Sequence, residues 1–492
     1  MDPDFNKPNT PEEKDEFFDP VPEERPDERE NLSSPRPTRK QSWQRRLISL
    51  LLALVLLAAG FLVGWFVRYY AIDADMRSFL WALDVTERYY YPEDFSRGKV
   101  LESAGEDATG AELLSALNET LDDYSQYYSP EEYAAYLRAG AGQNYDYGIS
   151  FLRGDDSGMV ALVPNNSPAF EAGIRKGMSI LAYGSQEDGE QGTLTPFTTY
   201  AAFSSDVSRY GSNTLCLKMG YEEDGSDAAL YTVTAGDYQT TYCSYRDSES
   251  AFYFTGEQGT EWTEYPDEAI SSLDEDTAYI RIDEFSGNVS KEFESCLKAM
   301  KERGRTDLIL DLRTNGGGYL DDLQRIASHL MRDAEGPAPE VQVARYKGGR
   351  EEVYYAYGND FSDHFSETSE VYLLADENTA SASECLIGVL IDYGTLSYDH
   401  IYLREAEDGT ASTYGKGIMQ TSFVAANGAA MKLTVAGIYW PVSDKSIHGT
   451  GVTPEDGCVA VSAPLIWGKE DKMLSAVIEA ACSAPSIPSV GI

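Results

Sequence analysis

Histidine and cysteine are scarce in this chain. Its 492 residues include only four histidines. It contains neither a G-x-S-x-G nucleophile elbow nor an H-E-x-x-H zinc helix, the motifs of many serine hydrolases and metallopeptidases. Its six cysteines form no C-x-x-C pair, so neither a zinc site nor a redox motif is indicated. These absences argue against a histidine-based triad and a metallopeptidase, and we expect no metal and no cofactor.

Positive charge is also scarce. Lysine and arginine number 39 against 82 acidic residues, which gives a formal net charge of -43. After residue 70 no basic stripe interrupts this acidity. Because such a chain repels phosphate backbones, we expect no nucleic-acid partner.

The sequence has a single long apolar run, Leu47 to Val67, which at about 1.5 Å per residue is long enough to cross a bilayer as a helix. Basic residues crowd its N-terminal flank, so the positive-inside rule keeps the N-terminus in the cytoplasm. We predict a transmembrane helix over 46–69 of a single-pass cell-membrane protein. The acidic, proline-rich leader 1–45 is expected to be disordered and cytoplasmic. A cleaved signal peptide is the alternative, but the run is too long and no clean A-x-A site follows.

The six cysteines all follow the apolar run, on the side where oxidation can occur. Full pairing could follow any of about fifteen arrangements, which the sequence does not rank. Wide spacing in a long chain favours buried free thiols.

The rest of the chain is too long for a single compact core, and its residue patterns divide it into three parts. Residues 70–140 show apolar side chains at helical spacing, which predicts two or three short helices, one of them starting at Ser129 and Pro130. Residues 141–240 show short β-like runs with one short helix at Ser167 and Pro168. This pattern indicates a small, mostly-β domain.

Residues 241–492 alternate strands and helices, which is typical of an α/β domain with a largely parallel sheet. The segment from Cys243 is expected to connect this domain to the preceding one. The Asn427-Gly428 pair predicts a type I′ hairpin turn. We predict strands over 277–282, 307–313 and 370–376, with the hairpin over 417–440.

The stretch "TASASE", at 379–384, places three hydroxyl side chains before an apolar helical run. Serines there can simply cap the helix, and Ser383 is expected to do so. A nucleophilic serine needs a base, and a lysine can serve if burial keeps it neutral. Lys416, between two glycines in "TYGKGIMQ", suits that role. Gln420 would share its face in a strand and hold the amine.

Five blocks then occur in one order: "AYIRIDEFS", "DLILDLRTNGGGYLDD", "NTASASE", "YGKGIMQ" and "KLTVAGIYWPVSDKSIHGTGVTPE", over 278–286, 307–322, 378–384, 414–420 and 432–455. In these blocks the chain resembles the C-terminal processing, or tail-specific, serine peptidases. The resemblance implies a Clp protease/crotonase-like spiral core. It also implies the following roles: nucleophile Ser381, base Lys416, orienting residue Gln420, and backbone oxyanion donors Gly318 and Ala382.

Residues 141–240 resemble a PDZ domain, which adds a peptide as a strand to a sheet edge and captures its terminal carboxylate. The resemblance places the peptide-binding loop at Tyr147, Gly148, Ile149, Ser150 and Phe151. Met178 departs from the family pattern, which usually has aspartate there. A β-rich spacer without a ligand is the alternative.

The chain departs from the C-terminal processing peptidases in one spacing. More residues separate Ser381 from Lys416 than is usual in that family. The excess, "SYDHIYLREAEDGTAS" at 397–412, is expected to be a polar surface loop that changes access to the cleft. Cys385 and His448 are expected to be structural.

The sequence therefore predicts a membrane-anchored serine endopeptidase that cleaves extracytoplasmic proteins near their C-termini, with protein substrates bound through their tails. A homo-oligomer or a regulatory partner is left open. A catalytically inactive PDZ-containing envelope scaffold is the main alternative. A crotonase-like acyl-transfer enzyme is a third hypothesis, which does not explain the combination of serine, lysine and PDZ-like residues.

Overall fold

The computed structural model describes residues 39–483 except 72, 152–156, 211–212, 223, 333–338, 358–360, 362–363 and 366–368. Residues 1–38, most of the predicted leader, lie outside the described residues. The chain divides into two units, Met1–Ile72 and Asp73–Ile492, which are described separately.

The first unit contains helix α1, Arg39–Ala71. Its window Leu47–Gly64 is exposed and is long and apolar enough to cross a membrane, a test that a signal sequence also passes. The helix exceeds the predicted span 46–69 at both ends, so residues 39–45 of the predicted leader are helical. Leucine and alanine, both strong helix formers, dominate its centre.

The second unit begins with four helices and one short strand. They are α2 (Ala74–Tyr89), α3 (Arg97–Ala104), α4 (Gly110–Glu119), β1 (Gln126–Tyr128) and α5 (Pro130–Gly140). Helix α5 begins as predicted, with Ser129 and Glu132 in a capping box around Pro130. Strand β1 was not predicted.

Residues 141–240 are mostly β, as predicted, and their described residues contain three short helices instead of the one predicted. The elements are β2 (Gln143–Asp146), β3 (Ser150–Phe151), β4 (Val160–Leu162), α6 (Pro168–Glu171), β5 (Ser179–Ser185), α7 (Gln186–Gln191), β6 (Thr195–Pro196), α8 (Tyr200–Val207), β7 (Thr214–Gly220), β8 (Ala229–Thr234) and β9 (Gly236–Gln239). Strands β6-β5-β7-β8 form one sheet, and β2–β9 and β3–β4 form two pairs. Phe170, Ile180 and Leu217 lie in a separate apolar core.

The remaining residues form the α/β part. Its strands are β10 (Cys243–Arg246), β11 (Ala251–Thr255), β12 (Glu261–Tyr265), β13 (Thr277–Ile282), β14 (Asp307–Asp311), β15 (Glu340–Tyr346), β16 (Glu351–Tyr355), β17 (Val371–Ala375), β18 (Ile401–Glu405), β19 (Ile418–Val424), β20 (Ala430–Tyr439) and β21 (Val459–Ser462). Its helices are α9 (Val289–Glu302), α10 (Leu320–Leu330), α11 (Ala382–Asp392) and α12 (Lys472–Ser483).

An eight-stranded sheet organises this part, in the order β12-β11-β10-β13-β14-β17-β18-β21. Neighbours from β13 to β21 are parallel, as the alternation of strands and helices predicted. Strands β10 to β12 are antiparallel members of the same sheet. The segment from Cys243 is therefore part of the domain, and its prediction as a connection was wrong.

A second, antiparallel sheet has the order β1-β20-β15-β16, with β19 also paired to β20. The hairpin β19–β20 is present as predicted, but the turn type was wrong. Only Gly428 of the Asn427-Gly428 pair has a positive φ, of +89°, whereas a type I′ turn needs two such residues.

The segment 397–412 is not the surface loop that we expected. It contains a 3-10 turn, Tyr398–His400, and then strand β18, which lies between β17 and β21. Ile401 and Leu403 are fully buried there, because β-branched and apolar side chains suit a strand inside the sheet. The acidic residues around this strand obscured its pattern in the sequence. Within the segment the exposed residues are Ser397, Asp399 and 407–410.

Five cysteines, Cys216, Cys243, Cys296, Cys385 and Cys458, are free and buried in the described structure. This agrees with the expectation of buried thiols for those five positions.

Candidate active site

Two loops meet where strands β14 and β17 end. The strands are parallel neighbours, with Leu310 beside Leu373, so their carboxyl ends lie at the same edge of the sheet. The chain after β14 carries the glycine run 316–318, and the chain after β17 leads into helix α11 through "TASASE". In open α/β sheets this edge is the usual place for a site.

Ser381 is the residue that immediately precedes helix α11. Its φ of +57° and ψ of -114° are a backbone conformation that non-glycine residues rarely adopt. Neighbouring hydrogen bonds hold it, with the Ala380 N–H donating to the Asn315 carbonyl at 3.0 Å. The side chain thus lies at the positive end of the α11 dipole, where developing negative charge is stabilised.

The other two hydroxyls of "TASASE" fix the loop to its neighbour. Thr379 Oγ1 donates to the Leu312 carbonyl at 2.9 Å, and buried Ser383 Oγ donates to the Asn315 carbonyl at 3.0 Å. Ser383 lies inside the helix, so its prediction as a helix cap was wrong. Both hydroxyls bind the glycine-rich loop to the segment that carries Ser381.

The glycine run lies directly against Ser381. Gly317 has φ +98°, and a Cβ placed on it would lie 2.8 Å from both the Ala382 nitrogen and the Ser381 Cβ. Gly318, with φ +144°, pairs with Phe285 in an isolated bridge. No hydrogen bond within the described residues uses the amide N–H of Gly318 or that of Ala382. Both predicted donors therefore remain available beside the serine.

Glu384 joins the serine loop to the lysine loop, which we did not predict. Its carboxylate is fully buried. Oε2 accepts from the Ser381 N–H at 3.0 Å and the Lys416 N–H at 2.8 Å. Oε1 accepts from Thr413 Oγ1 at 2.6 Å and the Gly415 N–H at 2.7 Å. Burial raises the pKa of this carboxyl, and the four donated bonds oppose that rise.

Lys416 is half-buried and lies before strand β19. Burial, and then the nearby Lys432, lowers its pKa to about 8, while Asp122 and Glu384 act in the opposite direction. Its Nζ lies 4.4 Å from the centre of the Tyr124 ring. Within the described part of the chain no hydrogen bond joins this amine to the Ser381 hydroxyl.

Gln420 lies on β19 after a bulge between Met419 and Gln420. The strand begins at Ile418, so strand alternation does not relate Gln420 to Lys416, and that argument was wrong. The side-chain Nε2 donates to Thr434 Oγ1 at 3.1 Å. Among the described hydrogen bonds none joins Gln420 to the Lys416 amine.

A cavity of about 490 Å³ lies beside these residues. Two of its lining residues, Thr434 and Tyr124, contact Gln420 and Lys416 respectively. Its lining residues are Tyr91, Pro92, Asp122, Asp123, Tyr124, Ile418, Thr434 and His448. The cavity is large enough to receive one amino-acid side chain.

The predicted peptide loop, Tyr147 to Phe151, lies in the β-rich part. The Gly148 N–H donates to Asp146 Oδ1 at 2.6 Å, so this amide is already paired. The Phe151 ring packs against Tyr200 and Phe203 of α8, at 5.7 and 5.6 Å between ring centres. The described hydrogen bonds place none of Tyr147, Gly148, Ile149, Ser150 or Phe151 on Ser381 or Lys416.

One contact connects the β-rich part to the glycine-rich loop. Lys176 Nζ donates to Thr314 Oγ1 at 3.4 Å, and Thr314 lies two residues before Gly316. Burial lowers the pKa of Lys176 to about 7.

Ser381 at the start of α11, the glycine-rich loop against it and Lys416, whose backbone shares the Glu384 carboxylate with Ser381, form a candidate hydrolytic site at the edge of the sheet. Residues 276–456 match the model of peptidase family S41.

Two named proteases are similar to this chain in sequence. A carboxyl-terminal-processing protease of Synechocystis is 32% identical over 188 residues, 38% of each chain. A CtpA-like serine protease of Staphylococcus haemolyticus is 22% identical over 432 residues, 86% of this chain and 74% of that protein. The chain thus spans 38% of the length of the Synechocystis relative.

A solved Bacteroides fragilis structure assigned to the S41 proteases shares the fold. It is 16% identical, covers 82% of this chain and 97% of its own, and has a TM-score of 0.52. At this identity the likeness concerns the fold alone.

Proposed function

We propose that the chain is a membrane-anchored serine endopeptidase that cleaves extracytoplasmic proteins near their C-termini. The observation that carries the proposal is the Glu384 carboxylate, which accepts hydrogen bonds from the backbone of both Ser381 and Lys416. The S41 domain and the relatives named carboxyl-terminal-processing proteases support it.

In the proposed reaction, neutral Lys416 removes the proton from the Ser381 hydroxyl as Oγ attacks the substrate carbonyl. The N–H groups of Gly318 and Ala382 donate to the oxyanion. Lys416 then gives the proton to the departing amine, and water hydrolyses the acyl-enzyme. To reach Ser381, the lysine side chain turns away from the Tyr124 ring, and Gln420 orients the amine in that position.

Substrate tails are proposed to dock in the β-rich part, a PDZ-like domain, between β3 and α8. The Lys176–Thr314 contact supports communication with the glycine-rich loop, because it connects the two parts directly. Helix α1 is proposed to anchor the chain, with its N-terminus in the cytoplasm.

An inactive envelope scaffold is the second candidate. One observation favours it, namely that no hydrogen bond joins the Ser381 hydroxyl to the Lys416 amine within the described residues.

The test uses the full-length protein in detergent with a fluorophosphonate probe and peptides of varied C-terminal sequence. Ser381→Ala and Lys416→Ala should each abolish labelling and cleavage while circular dichroism stays unchanged. Ser397→Ala and Lys301→Ala are matched controls, because both residues are exposed, and they should keep full activity. Labelling of the wild type that persists in Ser381→Ala contradicts the assignment, and an unlabelled wild type supports the scaffold.

A further inference from the structure

Tyr124 belongs to the helical N-terminal part of the second unit, 292 residues before Lys416 in the chain, yet it contacts the lysine loop twice. Its ring lies 4.4 Å from Lys416 Nζ. Its hydroxyl donates to the Tyr414 hydroxyl at 2.7 Å, two residues before the lysine. Both contacts are made to the loop that holds the proposed base.

The backbone around Tyr124 is fixed. The Asp122 N–H donates to the Tyr90 hydroxyl at 2.8 Å, and Ser125 Oγ accepts from the Thr434 N–H at 2.8 Å. Strand β1 follows and pairs with β20, with Gln126 opposite Lys432. The ring is therefore held against the lysine by the sheet, and it does not depend on a mobile loop.

We propose that Tyr124 is a positioning residue for Lys416, whose ring face binds the lysine in its ammonium form and so sets the pH at which the amine becomes available as a base. The inference rests on the proposed function, since it gives Lys416 the role of base. An aromatic face attracts a cation and has no such attraction for a neutral amine. Loss of the proton weakens the contact and frees the side chain to turn toward Ser381.

Other groups around the amine act on the same proton. Lys432 from β20 favours its loss, whereas Asp122 from the segment after α4 and Glu384 from α11 favour its retention. Burial raises the pKa of the Tyr124 phenol, so the ring is uncharged in the relevant range. The ring therefore favours retention of the Lys416 proton, as the two carboxylates do.

Competitive acetylation of Lys416 with acetic anhydride, read by mass spectrometry as a function of pH, measures its pKa without any cleavage. The experiment uses the full-length protein carrying Ser381→Ala. Tyr124→Leu keeps an apolar cover but removes the aromatic face, so the labelling midpoint should fall from about 8 by about 0.5 to 1.5 pH units. Tyr124→Phe keeps the face and should keep the midpoint.

The chain offers a matched control in Tyr346. Its ring lies 3.8 Å from the Arg350 guanidinium, and its hydroxyl bonds to the Tyr354 hydroxyl at 2.8 Å. Tyr346→Leu should leave the Lys416 midpoint unchanged. If Tyr124→Leu unfolds, a ring-fluorinated phenylalanine at position 124 keeps the shape while it weakens the aromatic face, and it should lower the midpoint in the same direction.

The acid limb of kcat/KM, measured with Ser381 intact, should shift with the labelling midpoint. A midpoint that stays or rises in Tyr124→Leu, or that falls equally in Tyr346→Leu, overturns the inference. If the midpoint falls as expected but the wild type cleaves nothing, the effect of Tyr124 on the Lys416 proton stands, while Lys416 as base and the proposed function fail. If the wild type cleaves and the midpoint does not move, only the inference about Tyr124 fails.

Discussion

Replacing Glu384 by glutamine should loosen the junction between the two loops that carry Ser381 and Lys416. Both carboxylate oxygens each accept two hydrogen bonds, so no orientation of an amide satisfies all four donors. In the less costly orientation the NH₂ group replaces Oε1. The Thr413 hydroxyl can then turn to accept, but the Gly415 N–H faces another donor.

The cost can be worked from this arrangement. One buried donor left unsatisfied costs about 1–3 kcal/mol, and the two bonds at the remaining oxygen each lose about 1 kcal/mol when the acceptor becomes neutral. Burying a neutral amide costs less desolvation free energy than burying a carboxylate, which offsets part of this loss. We expect a net loss of about 2–4 kcal/mol in the free energy of unfolding. This is a large share of the total stability of a typical domain.

Glu292 is the matched control for this substitution. It is also buried, but a single oxygen, Oε2, accepts both the Tyr242 N–H at 2.7 Å and the Cys243 N–H at 3.0 Å. An amide oxygen can take its place. Burial raises the pKa of Glu292 to about 7, so this site already favours the neutral, protonated side chain more than an exposed site would. Glu292→Gln should therefore cost much less than Glu384→Gln.

The assay is urea unfolding of the full-length protein in detergent, followed by tryptophan fluorescence, together with kcat/KM on the best peptide. Glu384→Gln should lower the midpoint and reduce kcat/KM strongly. If both variants unfold at the wild-type midpoint, or if Glu292→Gln is the more damaging, then the account of the four hydrogen bonds is refuted.

Two further predictions concern the loops and the sheet. Gly317→Ala should reduce kcat/KM by at least about 100-fold, because Gly317 has a φ of +98° and a new Cβ there would lie 2.8 Å from the Ser381 Cβ and disturb the proposed oxyanion donors. Gly316→Ala, where a Cβ meets nothing within 4 Å, should be tolerated, and equal losses in both variants would contradict this placement. Leu403→Ala in β18 should cost about 2–5 kcal/mol in a urea titration. Glu407→Ala in the exposed turn should stay within about 0.5 kcal/mol of the wild type, and a harmless Leu403→Ala would argue against β18 as a sheet strand.

The elements that could be predicted are those defined by neighbouring residues. Ser129 and Pro130 mark the start of α5 because a cap and a proline act within one helical turn. Strand β13 was predicted with its bounds, 277–282, because Ala278, Tyr279 and Ile280 form a short apolar run inside it. Elements of this kind can be recognised from neighbouring residues alone, without knowing which distant residues contact them.

The errors come from residues whose structure depends on distant parts of the chain. Strand β1 has only three residues, and its partner β20 follows about three hundred residues later. Strand β18 looked polar because acidic residues lie on both sides of it in the sequence, although the strand itself pairs within the sheet. The spacing of Glu384 from Ser381 indicates only a capping box, and nothing local shows that Glu384 also reaches Gly415 and Lys416.

Strand β1 has a practical consequence for anyone who wishes to produce the part that matches family S41 alone. A fragment starting at residue 141 or 241 would keep all of the S41 match, 276–456, but would uncover one side of β20. An uncovered strand invites pairing with other chains. It would also leave Lys416 without its aromatic neighbour. The smallest fragment that keeps β20 paired and keeps the Tyr124 ring beside Lys416 therefore begins near residue 73, far upstream of the S41 match at 276–456.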